Sequence, residues 1–334
     1  MSNYTCKILP PSEYNQWDRF VDQSPQGTIF HTSDWLAASG MDFRIYGCFK
    51  DDKPIAGLPL TDQRTGRKQA GHPPLTPYLG ILFQKSDAKY VSRLSAEKEI
   101  AKQIARRIKD DFEAIDFNFA PSVIDLQPFI WEEFTSRVKY TYLLDISNLD
   151  AVWEGMDSKK RNDIIRAAKD GVVIEVNCDF NDMFALVEKT FDRQNEKVTF
   201  KSAALQYNKV LLEKGLCNSI IAKDRDGNPI ASIYIVWDKK RSYLLLAGYD
   251  PVNTHRGASA CAIWHAIKFT KEELGLNQYD FEGSMLEPVE QFYRKFGGTL
   301  TPYYSVSWIA PSVKLALDAR SLIGAGLKQI GLRK

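Results

Sequence analysis

One run of elements occurs twice along this chain in the same order, and that constrains its folding more than any other feature. In the first half FRIYGCFKDDKPIAGLPLTD (43–62) reads as two apolar strands around a charged turn at Asp51-Asp52-Lys53. In the second half SIIAKDRDGNPIASIYIVW (219–237) reads the same way, turning at Asp226-Gly227-Asn228. Both second strands open Pro-Ile-Ala, at Pro54 and Pro229. A strand near Tyr78–Phe83 then answers one at Tyr243–Tyr249, and each precedes a helix, over about 92–111 and about 257–274. Strands sharing an Asp-Phe pair follow (Asp116-Phe117, Asp280-Phe281), then short aromatic helices (Phe129–Phe134, Val289–Phe296) and final strands (Val138–Ile146, Leu300–Ile309). Two unrelated α/β segments that happen to alternate are the competing reading. Hairpins mixed with helical crossovers imply an α/β fold with a mixed sheet rather than a doubly wound parallel one. The expected division is 1–148, 149–310 and a C-terminal helix over 311–334, with the boundary near Asn148–Ala151.

Composition removes several classes of function. With 44 Lys+Arg against 42 Asp+Glu, the net charge of +2 argues against a protein that coats nucleic acid. The last 24 residues carry +4 of that charge, with apolar Val313, Leu317, Ile323, Leu327 and Ile330 near helical spacing. They read as a basic amphipathic helix that packs on the body or touches an anionic membrane. The five cysteines form no Cys-x-x-Cys pair, which predicts reduced thiols and a cytoplasmic setting, and the four histidines give no zinc spacing, so no metal is expected. No signal peptide and no run of about 20 apolar residues is seen.

The chemistry-bearing residues gather in the second half. The strand ending at Tyr249 runs into DPVNTHRGASA and a helix opening near Gly257. Small residues Gly257, Ala258 and Ser259 let a ligand approach the helix's first amides, and Arg256 adds a charge; this suits a phosphate or, equally, close packing on the sheet. The next strand ends Asp280-Phe281-Glu282-Gly283-Ser284, where Asp280 and Glu282 share one face. A carboxylate at a strand's end beside a phosphate-type helix mouth can serve as general base. Tyr293 lies on a short helix stopped by Gly297-Gly298, and a phenol can protonate a departing thiolate. In the basic helix Asp157–Asp170, Ile164, Ile165 and Ala168 are expected to face the core. Lys159 and Arg161 face outward there, as a solvated face or a substrate contact.

The order of hairpin, strand, Arg-Gly helix mouth, strand and Tyr-Arg-Lys-Phe-Gly resembles the GNAT superfamily of acyltransferases. Its Tyr-x-x-x-Gly pattern fits Tyr293 and Gly297; its pyrophosphate loop is matched loosely by Arg256–Ala260, with alanine and serine where glycine is usual. Two tandem copies resemble the Fem-like (FemAB and BioF2-like) family. Matching pieces are Phe30-His31-Thr32-Ser33-Asp34-Trp35, Thr76-Pro77-Tyr78-Leu79-Gly80, Lys159-Lys160-Arg161 with Ile164–Ala167, and Phe281–Ser284. Three departures pull away from the peptidoglycan-bridge enzymes. Tyr293 stands at a position usually lysine, Ser39 stands where a lysine often follows the early tryptophan, and the second half has no coiled-coil insertion.

The resemblance implies an N-acyltransferase acting on an amine of a cell-wall, sugar or lipid-linked acceptor, with acyl-CoA or aminoacyl-tRNA as donor. It implies Glu282 as proton acceptor and Tyr293 as proton donor to the leaving group, with Arg256, Gly257, Ala258 and Ser259 on the donor phosphate. Lys159, Arg161, Tyr249, Asp280 and Ser284 are placed with the substrate. The first half, whose helix is expected to begin near Ala96–Glu99 without a comparable mouth, would shape the acceptor cleft. The rival readings are an aminoacyl-tRNA-dependent peptidoglycan-bridge aminoacyltransferase and a non-catalytic binding scaffold. The setting is the cytoplasm, with peripheral contact at the inner membrane face through the C-terminal helix.

Overall fold

The computed structural model describes residues 4–63, 68–283 and 285–315. The first half runs β1 (Thr5–Ile8), α1 (Tyr14–Gln23), α2 (Ser33–Ala38), β2 (Phe43–Lys50), β3 (Lys53–Asp62), β4 (Gln69–Gly71), β5 (Leu82–Phe83), α3 (Tyr90–Asp111), β6 (Ala114–Asn118), α4 (Gln127–Trp131) and β7 (Thr135–Asp145). The second half opens with two extra helices, α5 (Leu149–Gly155) and α6 (Ser158–Lys169). It then repeats the pattern: β8 (Val173–Glu175), α7 (Phe180–Arg193), α8 (Lys201–Lys214), β9 (Cys217–Lys223), β10 (Pro229–Trp237), β11 (Ser242–Tyr249), α9 (Ala258–Glu272), β12 (Gln278–Asp280), α10 (Glu287–Tyr293) and β13 (Thr299–Ile309). The chain turns helical again at 311–315, and the expected helix beyond that point lies outside the described residues.

The mixed α/β architecture expected from the repeat is present, and the strands of both halves join one sheet. Its order is β1-β2-β3-β4-β6-β13-β7-β12-β11-β10-β9-β8, with β5 on β3. The order discloses an exchange: the last strand of each half is hydrogen-bonded into the other. β13 pairs antiparallel with β6 from Ser305↔Asn118 to Ile309↔Ala114, and β7 pairs with β12 from Gln278↔Asp145 to Asp280↔Leu143. β7 and β13 then pair with each other along Thr299–Ser307. Strand pattern identifies a strand but not its partner, so this exchange was not legible in the sequence.

Three expectations need correction. Only Leu82–Phe83 of the segment Tyr78–Phe83 is a strand, because Leu79 N–H donates to Asn118 O (2.8 Å) and the chain then crosses to β3. On α6, Ala167 and Lys160 face the core, whereas Ile165 and Ala168 are exposed. Cys6 and Cys48 form a disulfide rather than free thiols. The antiparallel register sets them directly opposite on β1 and β2, a proximity their sequence separation of 42 residues conceals. Cys178, Cys217 and Cys261 are free.

The two halves meet through aromatic packing. The Phe30 ring lies 4.8 Å from both Trp35 and Tyr243, and Trp35 stacks on Tyr207 at 4.1 Å. Trp35 Nε1–H donates to Thr76 Oγ1 (2.9 Å), and fully buried His31 sits between Thr28 Oγ1 and Gly80 N. Burial, assisted by the Lys240 charge, depresses the His31 imidazole to about 3, so it is a neutral structural group. Thus two of the short motifs in the first half build the wall on which the second half rests.

Candidate active site

β11 and β12 are hydrogen-bonded only at Ser242↔Tyr279 and Tyr243↔Asp280. Beyond that point β11 continues to Tyr249, while the other chain turns away through Glu282 (φ 55°) and Gly283 (φ 63°). A splay opens between them. Left-handed backbone is uncommon for a glutamate and marks a position held by its surroundings. Gly283 cannot be replaced without conflict, since a Cβ there would lie 2.1 Å from the Tyr140 carbonyl oxygen.

At the root of the splay several polar groups are buried. Asp280 is fully buried; its Oδ1 accepts from Thr141 Oγ1–H (2.7 Å), the Glu282 N–H (2.8 Å) and Tyr78 O–H (3.4 Å). Its Oδ2, the Tyr279 hydroxyl, Glu282 Oε1 and Arg241 Nε are buried with no partner among the described residues. Such groups are rare in native interiors, where an unmade hydrogen bond costs about 1–3 kcal/mol. Burial raises the Asp280 carboxyl, partly countered by Arg241 and the Thr141 hydrogen bond. Glu282 has no counter-charge among the described residues, so burial first, and the Asp280 charge second, hold it well above the ordinary carboxyl range. Tyr293 lies over Phe281 (ring centroids 5.4 Å), and burial with the Glu282 charge pushes its phenol up. Tyr303, delivered by the exchanged strand β13, is raised by the same causes and packs edge-on to Tyr78 at 5.2 Å. The site is therefore a pair of carboxyls among tyrosine rings, a setting suited to a cation or an amine.

The expected site residues divide into groups. Asp280, Glu282 and Tyr293 come together. Gly257 and Ala258 are buried where α6 packs on the mouth of α9, and a Cβ on Gly257 would lie 2.1 Å from the Asp163 carbonyl oxygen. Arg256 is exposed and pairs with Asp163 (3.0 Å), and Ser259 is half-buried in the first turn of α9. Tyr249 is six residues along β11 from Tyr243, roughly 20 Å away at strand rise; it sits under Arg193, whose guanidinium is 5.0 Å from its ring. Lys159 is exposed and Arg161 half-buried on α6, neither in an ion pair among the described residues. Ser284 lies outside the described residues.

Several groups in or near the site were not anticipated. Tyr78 was legible only as part of a motif, Thr141 required the β7–β12 pairing, and nothing in the sequence marked Arg241 or Tyr279. Lys160 is buried, with Nζ 3.7 Å from the Phe292 ring centroid and 5.6 Å from that of Phe296. Burial lowers it to about 8. Among the described residues no cluster of His, Cys, Asp and Glu could hold a metal ion, and no helix is long and apolar enough to cross a membrane.

Residues 158–291 match the family model described as an acetyltransferase (GNAT) domain. A solved structure of FemX is similar over 94% of this chain and 99% of its own, with a TM-score of 0.69 at 15% identity. This is a Fem-like GNAT fold. A tandem GNAT protein from the clavulanic acid biosynthesis pathway covers 92% of this chain and 98% of its own, with a TM-score of 0.58 at 10% identity. The C-terminal domain of a putative lysylphosphatidylglycerol synthetase from Agrobacterium fabrum also has a TM-score of 0.58, at 12% identity over 93% of this chain and 96% of its own. No curated protein matches the sequence. The second GNAT copy is the one that the family model covers, and it holds the orphaned carboxyl and tyrosine groups.

Proposed function

We propose that this tandem GNAT protein is an N-acyltransferase, moving an acetyl-type acyl group from acyl-CoA to an amine of a cell-wall, sugar or lipid-linked acceptor. The observation that carries the reading is the trio of unpartnered atoms at the end of β12: Tyr279 Oη, Asp280 Oδ2 and Glu282 Oε1. An acceptor ammonium would supply the counter-charge and donors that these atoms lack. The bound ammonium first loses one proton to solvent; the free amine nitrogen then attacks the acyl carbon, and Glu282 takes the second proton as the C–N bond forms. As the C–S bond breaks, Tyr293 gives its proton to the sulfur. Return of the proton from Glu282 to the Tyr293 phenolate resets both groups. A carboxyl held above its usual range is a stronger base, better matched to an ammonium than an exposed glutamate. Alignment of amine and thioester in the splay supplies much of the remaining rate. Arg256 and Ser259, at the rim of the α9 mouth, would meet the donor phosphate, with Lys159 and Arg161 nearby on α6.

One observation favours a second reading. α6 closes on Gly257, where a pyrophosphate would approach the helix. An aminoacyl-tRNA ester needs no pyrophosphate there, and one structural neighbour is named for an aminoacylated lipid. The test is turnover of a panel of primary amines with acetyl-CoA and with aminoacyl-tRNA side by side, using the wild type, Glu282→Gln and Tyr293→Phe. Acyl transfer from one donor, lost in both variants, supports Glu282 as the base and Tyr293 as the acid. Transfer that survives in both removes those roles, and saturable binding of neither donor indicates a scaffold. The setting that goes with either donor is the cytoplasm.

A further inference from the structure

A wide cleft lies away from this site, in the first half. It has a volume of about 1090 Å³ and opens between Ile81–Phe83 and Ser122–Val123, where the chain leaving the Leu79–Asn118 contact splays from β6. Neighbours on β13 show its separation from the acid cluster: Tyr304 lines the cleft, while Tyr303 points to the other face of the sheet, toward Tyr78. The α3 helix begins at Tyr90, close to the 92 expected from the repeat and ahead of the Ala96–Glu99 opening also assigned to it. It therefore opens on this cleft with no side-chain cap and no acidic residue in its first turn. In the second half the corresponding mouth is covered by α6, which packs on Gly257.

The rim of the cleft joins apolar and basic groups. Ile124 is 81% exposed, Tyr90 64% and Trp131, beside the cleft on α4, 53%; Ile130 and Val138 are exposed as well. Large apolar side chains left exposed about one opening suit an interaction site. Of the three lining carboxylates, Glu97 and Asp125 are engaged by Arg93 and Lys98, leaving Asp87. Lys85 and Arg137 line the same cleft and form no ion pair among the described residues. Lys98 and Lys102 stand over the Trp131 ring at 5.1 and 5.9 Å. The floor, with Ile81, Leu94, Val123 and Leu126, is apolar.

We infer that this cleft is a docking site for an anionic lipid, with the headgroup phosphate at Lys85 and Arg137 and the chain along the Ile124–Val138 side. The combination of free cations, an apolar floor and exposed aromatic side chains at one opening fits a charged amphiphile at a bilayer surface. The inference does not depend on the acyl-transfer reading, nor on the basic C-terminal segment.

The test is co-sedimentation of the purified full chain with phosphatidylglycerol/phosphatidylcholine vesicles and with phosphatidylcholine vesicles. It uses the wild type and two double variants, Ile124→Asp/Ile130→Asp and Lys85→Glu/Arg137→Glu, all at exposed positions and checked for folding by circular dichroism. Wild type is expected on the anionic vesicles, with binding weaker by about tenfold or more on neutral ones and in either double variant. Binding by both double variants equal to that of wild type would assign membrane contact to another surface and overturn the inference. Absence of binding to anionic vesicles, or equal binding to neutral ones, overturns it too. Calorimetric binding of CoA that Lys85→Glu/Arg137→Glu abolishes, without vesicle binding, would assign the cleft to a soluble phosphate instead.

Discussion

Replacing Glu282 by glutamine keeps the side chain's size and removes its charge. Among the described residues, Oε1 of the wild type is buried with no hydrogen bond and no cation pairs with the carboxyl. Glutamine should therefore fold at least as stably at neutral pH, with a gain of up to roughly 1–2 kcal/mol, in the range found when a functional site's unfavourable polar group is relieved. Entropy of unfolding near 2.1 cal/mol/K per residue makes that about 1–3 °C in Tm for a chain of this size. The gain should depend on pH. The folded state holds the Glu282 proton more tightly than the unfolded one. The contribution of that proton is fully present below the ordinary carboxyl pKa and lost as pH rises through the raised folded value. The glutamine variant lacks this loss, so its advantage should grow from about pH 4 toward neutrality, against a background of other titrations common to both proteins. Loss of a general base typically costs about 10²–10⁴ in rate, or roughly 3–5 kcal/mol of barrier. Thermal melts across pH and steady-state acyl transfer, measured on the same preparations, test both halves. A Tm several degrees lower at neutral pH would show that the carboxylate is partnered and refute the electrostatic reasoning. An unchanged kcat would refute the base.

Four further outcomes follow from the packing. Thr141→Val removes the 2.7 Å donor to Asp280 and should cost about 1–3 kcal/mol in urea unfolding, with m unchanged. Gly257→Ala forces a methyl against the Asp163 carbonyl and should cost about 1–3 kcal/mol, visible as a lower denaturation midpoint. Lys160→Met should be more stable than wild type at pH 7. Because the folded lysine is lowered to about 8 from 10.5, wild-type stability rises over that window and the difference should close by about pH 10.5, as melts at several pH values will show. Cys6→Ser should lower stability by roughly 2–4 kcal/mol under oxidising conditions and change little once wild type is reduced, with thiol alkylation and mass spectrometry reporting which state the cell maintains.

The distribution of what was legible follows from the range of each interaction. The hairpins Phe43–Asp62 and Cys217–Trp237, the helices α3 and α9 and the strand β12 with its terminal carboxylates are set by short-range periodicity and turn residues, and they stand close to where sequence put them. Glu282 and Tyr293, a short chain segment apart, lie near enough for the Glu282 charge to act on the phenol. Thr141 and Tyr303 were beyond reach, because their roles depend on which strand lies beside which. The Cys6–Cys48 bond depended on a register, and the buried face of α6 on what it covers.

The sequence alone therefore determined that one α/β unit is used twice, a repeated local pattern, and that Asp280 and Glu282 stand at the end of a strand in the second copy. Only the tertiary structure decided that the copies exchange their last strands, that Tyr78 and Thr141 come to Asp280, and that one helix mouth is closed while the other opens on a cleft. Each of those joins residues far apart in the chain. Their contact is decided by which surfaces bury together, a condition that no single segment carries in its own pattern.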